Sequence, residues 1–314
     1  MPRSLIARGL ILCGLCCLVG GASETLAGPG PAKTFGAGSV VLSFPGSVEN
    51  EAEPNDSCAQ ANGPLTLDLP VRGEITPGDH DWYSLDVLAG QIVVIETFAV
   101  PQQPVLDTQL RLLAADCVTE LDFDDDGGLG FFSQIVYIPP ATETVFIEAE
   151  GYDPGANGFY DLLVKVYAKA EHDQCAGAID LREQGRREFT VNTCNGTPDY
   201  DPGASGCTGF GMLGSDLVYK IFLDGVQLAV DLQSDYDLGL YLVSDCADVV
   251  ASCLSGADRT GEGGIETLIY YPTAPGEYFL IIDSEGSCGE VNLTIASPLA
   301  TDFSSWGAIK VTYR

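Results

Sequence analysis

The chain has 314 residues, 14 Lys and Arg against 45 Asp and Glu, a formal net charge of −31, and two histidines. So acidic a field repels nucleic acid and anionic lipid and argues against both as partners, while it suits solubility and attracts divalent cations.

Arg3 and Arg8 flank the start of an apolar stretch, Gly9 to Gly20, and Thr25-Leu26-Ala27 offers small side chains at the cleavage positions. This is the layout of a secretory signal peptide over residues 1–27. The apolar run is shorter than the ~20 residues a bilayer-spanning helix needs, and no later stretch is long and apolar enough to span. Cys13, Cys16 and Cys17 lack a small-residue approach suited to a lipoprotein site. Cleavage after Ala27 leaves 314 − 27 = 287 residues, enough for two domains, with 12 basic against 44 acidic side chains. The expected location is secreted, periplasmic or cell-surface.

Residues 28–48 are rich in Gly, Pro and Ser and read as a flexible leader, with one strand expected in 39–44. Beyond it, helical periodicity is nearly absent and period-2 alternation recurs. Tyr160, Leu162, Val164 and Val166 share one face of a strand; Tyr278, Leu280 and Ile282 share another. Short runs of this kind, separated by Gly, Pro, Asp and Asn clusters, predict an all-β sandwich or barrel.

The strands come twice in one order. Asp81–Val87 answers to Asp216–Phe222, and Gln91–Glu96 to Gln227–Leu232. Leu106–Leu113 answers to Tyr236–Val243, each followed by a cysteine, Cys117 and Cys246. Ile135-Val-Tyr-Ile-Pro and Thr144-Val-Phe-Ile-Glu pair with Leu268-Ile-Tyr-Tyr-Pro and Glu277-Tyr-Phe-Leu-Ile, and Gly158-Phe-Tyr-Asp-Leu with Gly289-Glu-Val-Asn-Leu. The expectation is two tandem modules, 49–168 and 171–297. A tail, 298–314, is either a last edge strand or a recognition segment for sorting.

Eight cysteines survive cleavage: Cys58, Cys117, Cys175, Cys194, Cys207, Cys246, Cys253 and Cys288. An even count in an exported chain, with no CxxC pair and only His80 and His172 to support a metal cluster, reads as disulfides. Cys58 and Cys117, alone in the first module, are expected to pair. Short loops suggest Cys194–Cys207 and Cys246–Cys253, leaving Cys175–Cys288.

At Glu51-Ala-Glu-Pro-Asn-Asp the first module resembles the bacterial pre-peptidase C-terminal (PPC) domain. The likeness continues through Gly73-Glu-Ile, Asp79-His-Asp-Trp-Tyr-Ser, Ala89-Gly-Gln, Leu106-Asp-Thr-Gln-Leu, the Asp-Gly-Gly loop and a closing Gly-x-Tyr-x-Leu strand at Gly158–Leu162. The second module is similar as a diverged relative. The resemblance implies jelly-roll-like antiparallel β-sandwiches appended to exported proteins, non-catalytic, and acting in substrate binding, targeting or secretion. In some members the opening acidic segment holds Ca²⁺ over the sandwich. Here Glu51, Glu53 and Asn55 project to one side of an extended segment, with Asp56 beside them, and Asp79 and Asp81 share one side of a strand start. Such oxygens suit Ca²⁺; solvated acids on a linker are the other reading. In the second module Asp173 matches Asp56, Gly214 replaces Asp79 and Asp216 answers to Asp81, so no equivalent site is expected.

Asp122-x-Asp124-x-Asp126-Gly127 has the start of a Ca²⁺ loop, but Ser133 stands at its twelfth position and the flanks read as strands, so an acidic hairpin tip is expected. Gly209-x-Gly-x-x-Gly214 opens a strand instead of a helix and is no dinucleotide fingerprint. Trp82 is expected outside the core, beneath the opening segment. No G-x-S-x-G or H-E-x-x-H motif is present. The leading expectation is a non-catalytic accessory protein binding an extracellular polymer, peptide or protein. A surface or secretion-linked structural component placed by its tail is the alternative, and a hydrolase the third reading.

Overall fold

Alternation of buried and open side chains along short strands is what the backbone adopts over residues 47–181 and 188–295, the residues described by this computed structural model. The expected signal peptide, nearly all of the leader and the tail lie outside them. Nine strands form the first half: β1 (Glu49–Asn50), β2 (Val71–Ile75), β3 (Asp81–Val87), β4 (Ile92–Ala99), β5 (Thr108–Leu113), β6 (Glu120–Asp124), β7 (Gln134–Tyr137), β8 (Glu143–Gly151) and β9 (Gly158–Tyr167). They make two facing sheets, β1-β2-β9-β4-β7 and β3-β8-β5-β6. Tyr83, Leu85 and Val87 of β3 meet Val93 and Ile95 of β4, Leu110 and Leu112 of β5, and Tyr160 and Leu162 of β9 in one core.

The second half contains β10 (Ile179–Asp180), β11 (Glu188–Asn192), β12 (Leu217–Leu223), β13 (Leu228–Ser234), β14 (Leu238–Val243), β15 (Cys253–Ala257), β16 (Ile265–Tyr270), β17 (Gly276–Ser284) and β18 (Glu290–Ile295). Its sheets are β10-β12-β17-β14-β15 and β11-β18-β13-β16. Strand for strand this is the order β3-β8-β5-β6 and β2-β9-β4-β7 again, antiparallel except for β1 on β2 and β10 on β12. Even the parallel pairing of Ile179 with Tyr219 has its counterpart in the bridge between Asn62 and Tyr83. The all-β sandwich architecture is as expected.

Two of the matched strands are shifted by one residue from the sequence alignment. Tyr83 opposes Ile147 as Tyr219 opposes Leu280, and Thr97 opposes Leu162 as Leu232 opposes Leu293. Tyr83 therefore corresponds to Tyr219, and Asp81 to Leu217 instead of Asp216. A slip of one residue exchanges the faces of a strand. Asp216 consequently points away from the core, on the same side as Val218.

That outer face is covered by the chain between β11 and β12. Tyr200, Cys207, Phe210 and Met212 pack on Val218, Tyr241, Val243 and Ile281. Carboxylates tie this cover down: the buried Asp216 accepts the amides of Asp199 and Tyr200 at 2.7 and 3.0 Å, and the half-buried Asp201 those of Gly203 and Met212.

The disulfides are Cys58–Cys117, as expected, and Cys175–Cys246, Cys194–Cys288 and Cys207–Cys253 in place of the short-loop pairings. Cys175–Cys246 is the second sandwich's version of Cys58–Cys117: each joins the segment after the acidic opening to the end of β5 or β14. Cys207 lies in the covering segment, whose backbone crosses Gly256 of β15 so closely that a Cβ there would stand 2.8 Å from it. Cys194 ends β11 beside the turn that enters β18, where Cys288 lies. Proximity across the sheets, not along the chain, decides all three. Four disulfides suit an oxidising compartment, and no helix among the described residues is long and apolar enough to cross a membrane.

Non-reducing peptide mapping is expected to return these four pairs, and a Cys194–Cys207 peptide would contradict the fold. Replacing Cys194 and Cys288 together by Ala is expected to lower stability by about 2–5 kcal/mol in denaturant titrations, since this bridge closes a loop of 94 residues.

Candidate metal centre

The alternation that fills the first core continues one residue too far for an apolar strand. Asp81, Tyr83, Leu85 and Val87 all face inward, so β3 begins with a carboxyl in the interior. Tyr160 enters from β9 opposite Gly73 of β2, and its ring occupies the space a side chain would need: a Cβ at position 73 would lie 2.4 Å from it. From there the Tyr160 hydroxyl donates to Asp81 Oδ2 at 2.7 Å and lies 2.9 Å from the Tyr83 hydroxyl. Tyr83 in turn donates to Glu51 Oε2 at 2.8 Å.

The opening segment is laid over this edge by backbone bonds. Glu51 donates its amide to Arg72 of β2, and Asn55 and Asn62 pair with the two sides of Trp82, whose amide donates to the Asn55 carbonyl at 3.0 Å. Trp82 is thus partly covered, as expected. Within the segment Glu53 Oε2 accepts the Asn55 amide at 2.9 Å, Asn55 Nδ2 donates to Glu51 Oε2 at 3.3 Å, and Glu51 Oε1 accepts the Glu74 amide. One carboxylate oxygen each from Glu51, Glu53 and Asp81 lie within 4.8 Å of one another.

Two oxygens in this group are buried without a hydrogen-bond partner: Asn55 Oδ1 and Asp81 Oδ1, both on residues with 0% exposure. Unpaired buried acceptors of this kind cost on the order of 1–3 kcal/mol each. Burial, then the charge of Glu51, pushes the Asp81 carboxyl up to about 9, against the lowering bond from Tyr160. Glu53 is also raised, chiefly by desolvation, with Asp79, Glu51 and Asp56 adding like charge. Among the described residues no lysine, arginine or histidine is paired with Glu51, Glu53 or Asp81. The donors are all oxygen, three carboxylates and an amide, which is the chemistry of a hard divalent cation such as Ca²⁺.

The structure therefore brings together Glu51, Glu53, Asn55 and Asp81 from the expected set. Asp79 stands at the margin: its Oδ2 accepts from the amide and hydroxyl of Thr76 and closes the turn before β3. Asp56 is exposed. His80 turns to the other side, with Nδ1 3.0 Å from Glu148 Oε1. What sequence reasoning missed is the tyrosine pair. Its signal was present, since Tyr83 and Tyr160 fall on inward positions of their strands and Gly73 lies across from Tyr160.

The second sandwich replaces this centre with neutral groups. His172, at the position of Asn55, places Nε2 3.2 Å from the Tyr219 hydroxyl, and burial lowers its pKa. Leu217 stands where Asp81 does. Asp173, the counterpart of Asp56, pairs with Lys169 and accepts from Thr197. The expectation of no equivalent site rests on these residues and not on a retained Asp216. A second acidic group, Asp107, Asp125 and Asp126, gathers at the β6–β7 loop. In that loop Asp124 accepts the amides of Gly127 and Gln134 at 2.8 Å each. The loop has no helical flanks, but it joins strands of two different sheets, so it is an acidic crossover loop and not the hairpin tip expected.

No family model matches the sequence, and no curated protein matches it. Among solved structures, the pre-peptidase C-terminal domain of a Bacillus anthracis collagenase is similar over 40% of this chain and 100% of its own, at 16% identity and TM-score 0.27. A periplasmic inhibitor of g-type lysozyme from Aeromonas hydrophila is similar over 43% of this chain and 100% of its own, at 12% identity and TM-score 0.24. The tandem CBM51 modules of a Streptococcus pneumoniae family 98 glycoside hydrolase are similar over 73% of this chain and 83% of their own, at 9% identity and TM-score 0.22.

Asp81→Asn is expected to raise stability in the absence of divalent ions at neutral pH by about 1–2 kcal/mol, because the amide keeps the Tyr160 bond and, unlike a carboxyl pushed up to about 9, takes up no proton on folding. Thermal unfolding in chelator checks it. A lower melting temperature than wild type would show that burying the carboxyl is not the dominant cost.

Proposed function

We propose that the protein is an exported, non-catalytic accessory protein that binds an extracellular polymer, peptide or protein partner, with Ca²⁺ held as a structural ion in its first sandwich. The observation that carries the ion is the pair of buried, unpartnered oxygens on Asn55 and Asp81, set among Glu51 and Glu53 with no cationic side chain among the described residues paired with them. Glu51, Glu53, Asn55 and Asp81 would hold the ion, and Asp79 would add charge from the adjoining turn. What calcium supplies there is neutralisation and a bond between the opening segment and β3. The PPC resemblance of residues 49–168 agrees with such a site.

Two clefts between the sandwiches support the binding reading. One, of about 370 Å³, is walled by Asp122, Asp124, Val136 and Ile138 on one side and Leu213, Ser215 and Glu285 on the other. The second, of about 300 Å³, lies between Phe98 and Tyr167 of the first sandwich and Tyr236 and Glu290 of the second. Their walls mix apolar side chains with acids such as Asp122, Glu285, Asp235 and Glu290, and that acidic lining favours partners that carry positive charge.

Calorimetric titration with Ca²⁺, with thermal unfolding alongside, tests the ion. Wild type is expected to bind at ~10⁻⁴–10⁻³ M or tighter and to gain about 2.7 kcal/mol at a hundredfold excess over the dissociation constant. Glu53→Ala and Asn55→Ala are expected to lose both responses. Absence of heat and of any thermal shift at ~10 mM Ca²⁺ would remove the ion from the proposal. Retention on polysaccharide and protein matrices, measured with calcium present, tests the binding role.

A further inference from the structure

The near-continuous apolar run Ile92–Phe98 makes β4 a strand without a solvent face. Val93 and Ile95 enter the first core, while Val94, Glu96 and Phe98 alternate onto the other side. There Val94 packs with Cys194 and Cys288 of the second sandwich and with Val136 and Tyr167. Glu96, in the middle of that face, is 6% exposed.

Among the described residues, polar bonds cross the junction at several places. Tyr236, between β13 and β14, donates its hydroxyl to Glu96 Oε1 at 2.8 Å. Its ring rests on Gly289, where a Cβ would lie 2.0 Å from a ring carbon. Gln134 of β7, the cross-strand neighbour of Glu96, donates from Nε2 to the Cys288 carbonyl at 3.1 Å and accepts the Cys288 amide on Oε1 at 2.6 Å. Glu262, between β15 and β16, accepts the Gly130 amide with both oxygens, at 3.0 and 2.9 Å. Gln134 lines both clefts, so this neck of contacts separates one from the other.

We propose that the junction between the two sandwiches is a proton-dependent latch, closed by the neutral form of the Glu96 carboxyl. The groups that face Glu96 leave its charge poorly compensated. Lys165 and Tyr167 approach from β9, Asp124 from β6, and Tyr236, Asp235 and Glu290 from the second sandwich. Of these only Lys165 is cationic, and it is exposed. Burial accordingly pushes Glu96 up to about 8, although the Tyr236 and Gln134 bonds and Lys165 lower it. Separation of the sandwiches returns the carboxyl to water and to its ordinary value of 4.5.

The sign follows from which form holds the proton. A carboxyl whose closed-state pKa is raised carries no penalty below 4.5. The penalty grows as pH rises towards 8 and is constant above it. Within that window each unit of rising pH moves the balance up to about tenfold towards the open form. Acidification tightens the junction, and mild alkalinity loosens it and with it both clefts.

The test uses the full mature chain with millimolar calcium throughout, comparing wild type, Glu96→Gln and Tyr236→Phe by small-angle scattering and by energy transfer between dyes on the two sandwiches. From pH about 5.5 to about 9 wild type is expected to expand, whereas Glu96→Gln, a permanent mimic of the neutral form, stays closed. Tyr236→Phe is expected to open at lower pH than wild type. A wild type whose dimensions do not change, or a Glu96→Gln variant that follows it, overturns the latch. Infrared difference spectra give a readout that needs no opening. A protonated carboxyl band present in wild type near pH 6.5 and missing in Glu96→Gln is expected, and its absence in wild type overturns the proposal.

Discussion

Strand β4 loses water on both faces, and the way the two sandwiches meet follows from that constraint. Its inner residues are fixed by the first core, so the outer row Val94, Glu96 and Phe98 needs a partner surface. The turn that enters β18 supplies it, with the Cys194–Cys288 bridge holding that turn against β11. A backbone amide and carbonyl of Cys288 meet one glutamine, and a tyrosine hydroxyl meets one carboxyl. Buried polar groups must be paired, so these few bonds orient two sandwiches that would otherwise be joined by the short segment around Ala168–Ala170.

The two halves then differ because the same strand order carries different inward residues. At the head of β3 the inward position is Asp81, and at the head of β12 it is Leu217. Around the first, a chain of hydroxyls from Tyr160 and Tyr83 links Asp81 to Glu51 without neutralising either. Around the second, a histidine and a tyrosine satisfy one another. One sandwich closes this position with a neutral pair, while the other gathers acids with which no described lysine, arginine or histidine pairs.

Much of this was legible in the chain itself. Period-2 alternation located the strands, and repetition of the strand motifs revealed the common order of the two halves. The acidic opening drew attention to Glu51, Glu53, Asn55 and Asp81. What escaped was register. Aligning Asp216 with Asp81 looked natural because both acids precede aromatic, apolar runs, yet pairing with β17 sets Tyr219 where Tyr83 stands. Loop length misled the cysteine pairing. Cys246 follows its strand as Cys117 does, and Cys175 follows its acidic opening as Cys58 does, so the repeat itself contained the bridge that short spacing concealed. The junction was hidden because β4 was read only as one of the repeated motifs, whereas its value lay in the apolar run Ile92–Ile95, the mark of a strand buried on both sides.

Two tyrosines occupy ground vacated by glycine: Tyr160 over Gly73 and Tyr236 over Gly289. Each pair is one packing unit, because the ring needs the bare backbone beneath it and the bare backbone needs the ring to exclude water. A lineage that exchanged either glycine for even alanine would have to surrender the tyrosine as well. Through Tyr160 that exchange reaches Asp81, and through Tyr236 it reaches Glu96. The smallest residues in the chain thus set how far a substitution is felt, and Asp81 and Glu96, on facing sheets of the first sandwich, share the same kind of guardian.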